Sequence, residues 1–119
     1  MGINCKYVSV GADSTNTFLF DRPVMVLGVS LATGGTRSVA GYGVTALFRR
    51  QGVTAASIPN VEDSVVAAMY DGSGVEGFSA EKFVWIGLGA NAGEVWTLMY
   101  ASLVGTITNL TASVVLFYE

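Results

Sequence analysis

Histidine is absent from the 119 residues, cysteine occurs once, proline twice, and Lys, Arg, Asp and Glu together make up only 13%. Each shortage excludes something. Without histidine, a Ser or Cys nucleophile lacks its usual base. A structural zinc site lacks the Cys/His cluster from which it is built. The lone Cys5 cannot close an internal disulfide and reads as a small apolar packing residue. A framework without disulfides fits a protein made in a reducing cytoplasm. The net charge of −3 leaves no basic stripe for phosphate, so no nucleic-acid partner is expected. The one adjacent basic pair, Arg49-Arg50, reads as a strand edge or a partner's salt-bridge site. Ordinary soluble domains are roughly 25% charged. A chain at half that figure, with 51% apolar residues, would show apolar patches as a monomer. Such patches mark protein interfaces, so the chain is expected to be oligomeric or built into a larger assembly.

No charge occurs between Val95 and Tyr118. A membrane helix needs roughly 20 apolar residues, but Thr97, Ser102, Thr106, Thr108, Asn109, Thr111 and Ser113 interrupt this run. Its second half repeats with a period of two. Leu110, Ala112, Val114, Leu116 and Tyr118 fall on one parity, and Asn109, Thr111 and Ser113 on the other. Successive side chains of a strand point to opposite faces, so this is a half-buried strand. An outer-membrane barrel strand would also alternate, but residues 1–6 carry no apolar export segment behind a basic start. Lys6 stands where a myristoylation signal requires Ser or Thr. No membrane partner is expected.

Read in order, residues 5–10 alternate as a first strand and 11–16 form a turn. Residues 17–32 are β-rich with a bend or edge at Asp21-Arg22-Pro23, because proline cannot donate to a ladder. After the bend Met25, Leu27, Val29 and Leu31 take one face, and Val24, Val26, Gly28, Ser30 and Ala32 the other. Residues 33–37 (Thr-Gly-Gly-Thr-Arg) read as a hairpin turn; a phosphate-binding loop would need Gly-Lys-Ser/Thr before a helix. Residues 39–50 form the third β segment, with Val44, Ala46 and Phe48 on one face and Thr45, Leu47 and Arg49 on the other. Gly41 and Gly43 flank Tyr42, and glycine at alternate strand positions predicts a bulge or a close backbone approach. Residues 51–60 are a short extended piece. Asn60 could cap a helix with Asp63 in its first turn, but Val65-Val66 and the following Tyr-Asp-Gly favour a strand over 64–70. Residues 71–77 are a loop, 82–89 a strand and 90–93 a turn. Two strands separated by Gly105 end the chain, as a hairpin or a return to an opposite sheet. About eight strands with turn signals between them call for a single all-β domain over residues 1–119, an antiparallel β-sandwich or barrel.

Candidate chemistry is sparse. Asp13, Asp21, Glu62, Asp63, Asp71, Glu76, Glu81, Glu94 and Glu119 lie in or beside predicted turns, and no facing pair stands out as a glycosidase would require. Residues 71–76 have oxygen-rich spacing but lack the further acids of a calcium loop. No catalytic residue, cofactor or metal site is assigned. Trp85, Trp96, Tyr42, Tyr70, Tyr100, Phe18, Phe20 and Phe48 read as core or subunit interface, the alternative being a sugar-stacking platform. Outward apolar positions at Val24, Val26, Val84, Val115 and Phe117, together with Tyr42, Phe48, Arg49 and Arg50, are the candidate interface.

The low charge, the abundant Gly, Thr, Ser, Val and Ala, and the ending Thr106-Ile107-Thr108-Asn109-Leu110-Thr111-Ala112-Ser113-Val114-Val115-Leu116-Phe117-Tyr118-Glu119 resemble small all-β virion proteins of tailed bacteriophages. These are capsid decoration (cement) proteins and small tail or fibre components. The resemblance implies a jelly-roll-like sandwich, a homotrimer, that binds a major capsid or other virion protein and stiffens the shell without catalysis. It places the protein in the virion, assembled in the host cytoplasm. The competing expectation is a carbohydrate- or receptor-binding sandwich of a tail or fibre.

Overall fold

The computed structural model describes residues 2–11, 13–37, 39–53, 64–73 and 76–119. Eight strands follow in order: β1 (Asn4–Ser9), β2 (Thr15–Leu19), β3 (Val24–Arg37), β4 (Gly41–Phe48), β5 (Val65–Ser73), β6 (Glu76–Ala90), β7 (Val95–Val104) and β8 (Ile107–Tyr118). They pair antiparallel in two four-stranded sheets, β1-β8-β3-β6 and β2-β7-β4-β5. Consecutive strands mostly alternate between the sheets, which is the double Greek-key arrangement of a jelly roll. The expected eight-stranded antiparallel sandwich is therefore what the chain forms. Among the described residues there is no α-helix, and none that could cross a membrane as one.

Alternation builds the core. Val114 and Leu116 of β8, Val26, Val29 and Leu31 of β3, Leu47 of β4 and Trp96 and Leu98 of β7 are fully buried between the sheets. Phe18, Phe20 and Trp96 pack edge-on or tilted at centroid separations of 6.0–6.2 Å. Burying side chains of this size removes roughly 1.5–3 kcal/mol of exposure each, and the aromatic geometry adds to it. As expected, Ala112, Val114 and Leu116 share the inward parity, and β7 and β8 lie in opposite sheets across Gly105, whose φ is +82°.

Two expectations for β3 fail for one physical reason each. Strict alternation turns Val24 and Val26 outward with Ser30, but they are buried in the core. The ladder slips between Val26 and Gly28, where β3 carries one more residue than β8. That bulge at Leu27 flips the parity of everything after it. Val24 and Val26 before it and Val29 and Leu31 after it all point inward, while Gly28, Ser30 and Ala32 point out. Residues 33–37 are not a hairpin turn: they continue β3, paired to β6 on one side and β8 on the other. Turn composition yields here to pairing on both flanks. The small residues have a packing cause, since a Cβ on Gly35 would sit 2.7 Å from Ile107 Cδ1.

Elsewhere the boundaries move modestly. β5 contains the expected strand 64–70 almost whole, but runs on through Asp71–Ser73, and β6 begins at Glu76, so the loop expected over 71–77 is shorter than its composition suggests. The extended piece expected at 51–60 lies outside the described residues from 54 onward. Arg49 N–H donates to the Ser64 carbonyl at 2.8 Å, joining the two sides of that segment.

Candidate functional site

The outer face of the first sheet is the feature that stands apart. Its side chains come from alternate positions of four strands, in rows fixed by the register. One row runs Cys5, Phe117, Gly28, Trp85, and the next Tyr7, Val115, Ser30, Phe83. A third row is Ser9, Ser113, Ala32, Glu81. Across these twelve positions Glu81 is the sole charge. An antiparallel sheet with a solvated face ordinarily alternates apolar-in with polar-out. Here Trp85 is 74% exposed, Tyr7 67% and Phe83 45%.

The aromatic rows are built rather than incidental. Phe83 and Trp85 meet edge-to-face at 4.9 Å between centroids, and Phe83 meets Phe117 at 5.8 Å. Pairs of this kind add about 0.5–1.5 kcal/mol beyond area. Gly28 makes room for them, since a Cβ there would lie 2.8 Å from Phe83 Cζ. Farther along β3 the outward positions stay small, at Ser30, Ala32 and Gly34. A shallow depression of about 190 Å³ opens there, lined by Ala32, Gly34, Ser79, Glu81, Thr111 and Ser113.

The second sheet has an apolar outer face too. Val44, Ala46, Phe48, Met99 and Ala101 form a buried cluster on it together with Val53. Val44, Ala46 and Phe48 of this cluster, with Val65, Ala68, Tyr70 and Leu103, line an apolar groove of about 200 Å³. Tyr70 is 71% exposed at its rim.

Two ion pairs stand at opposite ends of the sandwich. Arg37 ends β3 with its side chain fully buried, and its Nη2 donates to Asp71 Oδ1 at 2.6 Å and Tyr100 Oη at 2.7 Å. Its Nη1 donates to Ser102 Oγ and the Val104 carbonyl, both at 3.2 Å, and the guanidinium lies 5.2 Å from the Phe78 ring centroid. Arg37 thus ties the first sheet to β5 and β7 of the second. Among the described residues, Arg37 Nε and Asp71 Oδ2 are buried without a hydrogen-bond partner. Burial and the Asp71 carboxylate push the Tyr100 phenol up to about 12. Gly43 leaves space for Tyr100, and the β4–β7 register slips between Tyr42 and Gly43. Both alternatives read from the glycine spacing, a bulge and a close approach, are therefore present. At the other end Arg49 Nε and Nη2 donate to the two carboxylate oxygens of Glu94, at 2.7 and 2.8 Å, and Trp96 Nε1 donates to the same carboxylate at 2.5 Å. These bonds, Arg49 foremost, hold Glu94 below the usual carboxylate range.

The candidate interface residues divide accordingly. Val115 and Phe117 point outward, half-buried, in the aromatic rows. Tyr42 and Arg50 are exposed elsewhere, on the second sheet and its following turn. Arg49 is half-buried in its ion pair. Phe48 is 1% exposed within the cluster on the second sheet. Val84 sits opposite Val29, on the inner side of β6. Tyr7, Phe83 and Gly28, absent from the sequence-derived set, complete the face. Strands apolar on both parities, as residues 82–89 are, were its signal.

No protein-family model matches the chain, and no curated protein does. Among solved structures it is similar to Eiger TNF from S. frugiperda, with 9% identity over 98% of this chain and 92% of that one, TM-score 0.48. It is also similar to the virus-like particle of the extra small virus of the giant freshwater prawn Macrobrachium rosenbergii, with 10% identity over 99% of this chain and 80% of that one, TM-score 0.25.

Proposed function

We propose that this protein is a non-enzymatic structural component of a virion. In this reading it is a capsid decoration or cement protein of a tailed bacteriophage that forms a homotrimer and binds a major capsid protein. The observation that carries the reading is the outer face of the first sheet, where exposed aromatics stand among the twelve positions of three rows that hold one charge. Trp85 alone leaves about 180 Å² in water if an indole offers ~250 Å², worth about 4–5 kcal/mol when covered at ~25 cal/mol/Å². A free monomer has no use for that exposure, whereas a building block covers it with neighbours. The jelly roll is also the architecture of many viral capsid domains, and the sandwich is stiffened across its layers by the Arg37 clasp.

Sedimentation velocity at micromolar concentration is the test. The expected result is a discrete trimer that co-sediments with virions, and a well-behaved monomer refutes the reading. The exposed Trp85 and Tyr7 beside a hydroxyl-lined depression favour one second reading, a glycan-binding face, since sugars stack on aromatic rings. Binding on a glycan array would select it, and an array without hits leaves the scaffold.

A further inference from the structure

Two exposed apolar features flank the same edge of the sandwich. The aromatic ridge of Phe83 and Trp85 lies on β6, the outermost strand of the first sheet on that side. The groove rimmed by Val65, Tyr70 and Leu103 lies along β4 and β5, and β5 is the outermost strand of the second sheet on the same side. Lys82 of β6 donates to the Ala68 carbonyl of β5 at 3.1 Å, so ridge and groove are held as two flanks of one wedge. One is convex and the other concave, and neither set of side chains carries a charge.

We infer that the ridge of one copy seats in the groove of the next, a heterologous contact repeated around a closed ring with the β5/β6 edge toward its axis. This rests on the building-block reading and names its self-contact. Heterologous contacts close into rings when the rotation allows, and two contact surfaces flanking one edge supply the required wedge. An isologous pairing of aromatic faces would leave the groove uncovered, whereas this arrangement covers both features with one partner, a second copy. The exposed fractions of Trp85 and Phe83, and of Tyr70, Leu103 and Val65, leave about 300 Å² of apolar surface on each side if large side chains offer ~150–250 Å². With apolar atoms supplying about 57% of an interface, the pair implies roughly 1,000 Å² in total, the size at which a contact becomes specific.

Complementation tests this. Trp85→Lys spoils only the ridge and Tyr70→Lys only the groove, and both side chains are largely exposed. Each variant alone is expected to sediment as a monomer, with circular dichroism like the parent's and melting like the parent's at a concentration low enough to dissociate it. Trp85→Ala and Tyr70→Ala serve as gentler counterparts should either lysine variant misfold. An equimolar mixture is expected to form a one-to-one dimer, because a single intact ridge meets a single intact groove and growth stops there. An oligomer that survives Tyr70→Lys and Tyr70→Ala, or a folded mixture that stays monomeric, overturns the contact while leaving the building-block reading standing. A monomeric parent chain overturns both.

Discussion

Replacing Asp71 with alanine strands the Arg37 guanidinium inside the sandwich. Neither side chain reaches water, at 0% and 1% exposure, so the charge cannot be rescued by solvent. Breaking one partner out of a buried ion pair costs about 3–5 kcal/mol. Arg37 keeps its bonds to Tyr100, Ser102 and the Val104 carbonyl, all neutral acceptors, so the lower end of that range applies, about 3 kcal/mol. At roughly 3–5 °C per kcal/mol for a chain of this length, Asp71→Ala lowers Tm by about 10–15 °C. Because assembly raises apparent stability by mass action, parent and variant must be melted at one low concentration. The pair Arg37→Met with Asp71→Leu removes both charges and fills the space, and it should recover most of the loss. A shift below about 3 °C for Asp71→Ala, or a double variant no better than the single one, would show that the clasp does not hold the two sheets as argued.

Gly43→Ala places a Cβ against the Ala101 carbonyl and the Tyr100 hydroxyl, neither free to move, and should lower stability by about 1–3 kcal/mol in a denaturant titration. Gly28→Ala meets only the far end of the exposed Phe83 ring, so its melt should stay within about 1 kcal/mol of the parent while its association weakens. Glu94 has its folded pKa depressed, so its contribution is present above the ordinary carboxylate range and is lost as pH falls through the folded value; Glu94→Gln should flatten the acid limb of a Tm-against-pH curve. Tyr100 has its folded pKa raised, so its contribution holds below pH 10 and is lost as pH rises toward 12, and Tyr100→Phe should blunt that alkaline limb.

Much of the sandwich can be read from residue pattern because half-buried strands announce themselves with a period of two. β8 is the clearest case, with Ala112, Val114 and Leu116 inward and Thr111 and Ser113 on the opposite parity. Strand order is another matter. It follows from contacts between segments far apart in the chain, such as β1 beside β8, which no local pattern records. The aromatic face was only half legible. Phe117 and Val115 follow from the parity of β8, but Val24 and Val26 were lost to a one-residue bulge, which leaves no local mark and reverses every side chain beyond it. The glycines of 33–37 mislead in the opposite direction: they look like a turn, yet serve close packing beneath Ile107 inside a long strand. Arg37 was likewise invisible as an interior residue, because arginine is almost never fully buried unless its charge is paired across the core.

Collisional quenching of tryptophan fluorescence by acrylamide reaches the central claim most directly. Trp96 is fully buried and Trp85 is 74% exposed in the single chain, so the accessible emission belongs to Trp85. If neighbours cover the outer face of β1-β8-β3-β6, that emission becomes protected and shifts to the blue as protein concentration rises through the micromolar range. Trp85 remaining equally open to acrylamide at every concentration, and on the virion, would contradict the account.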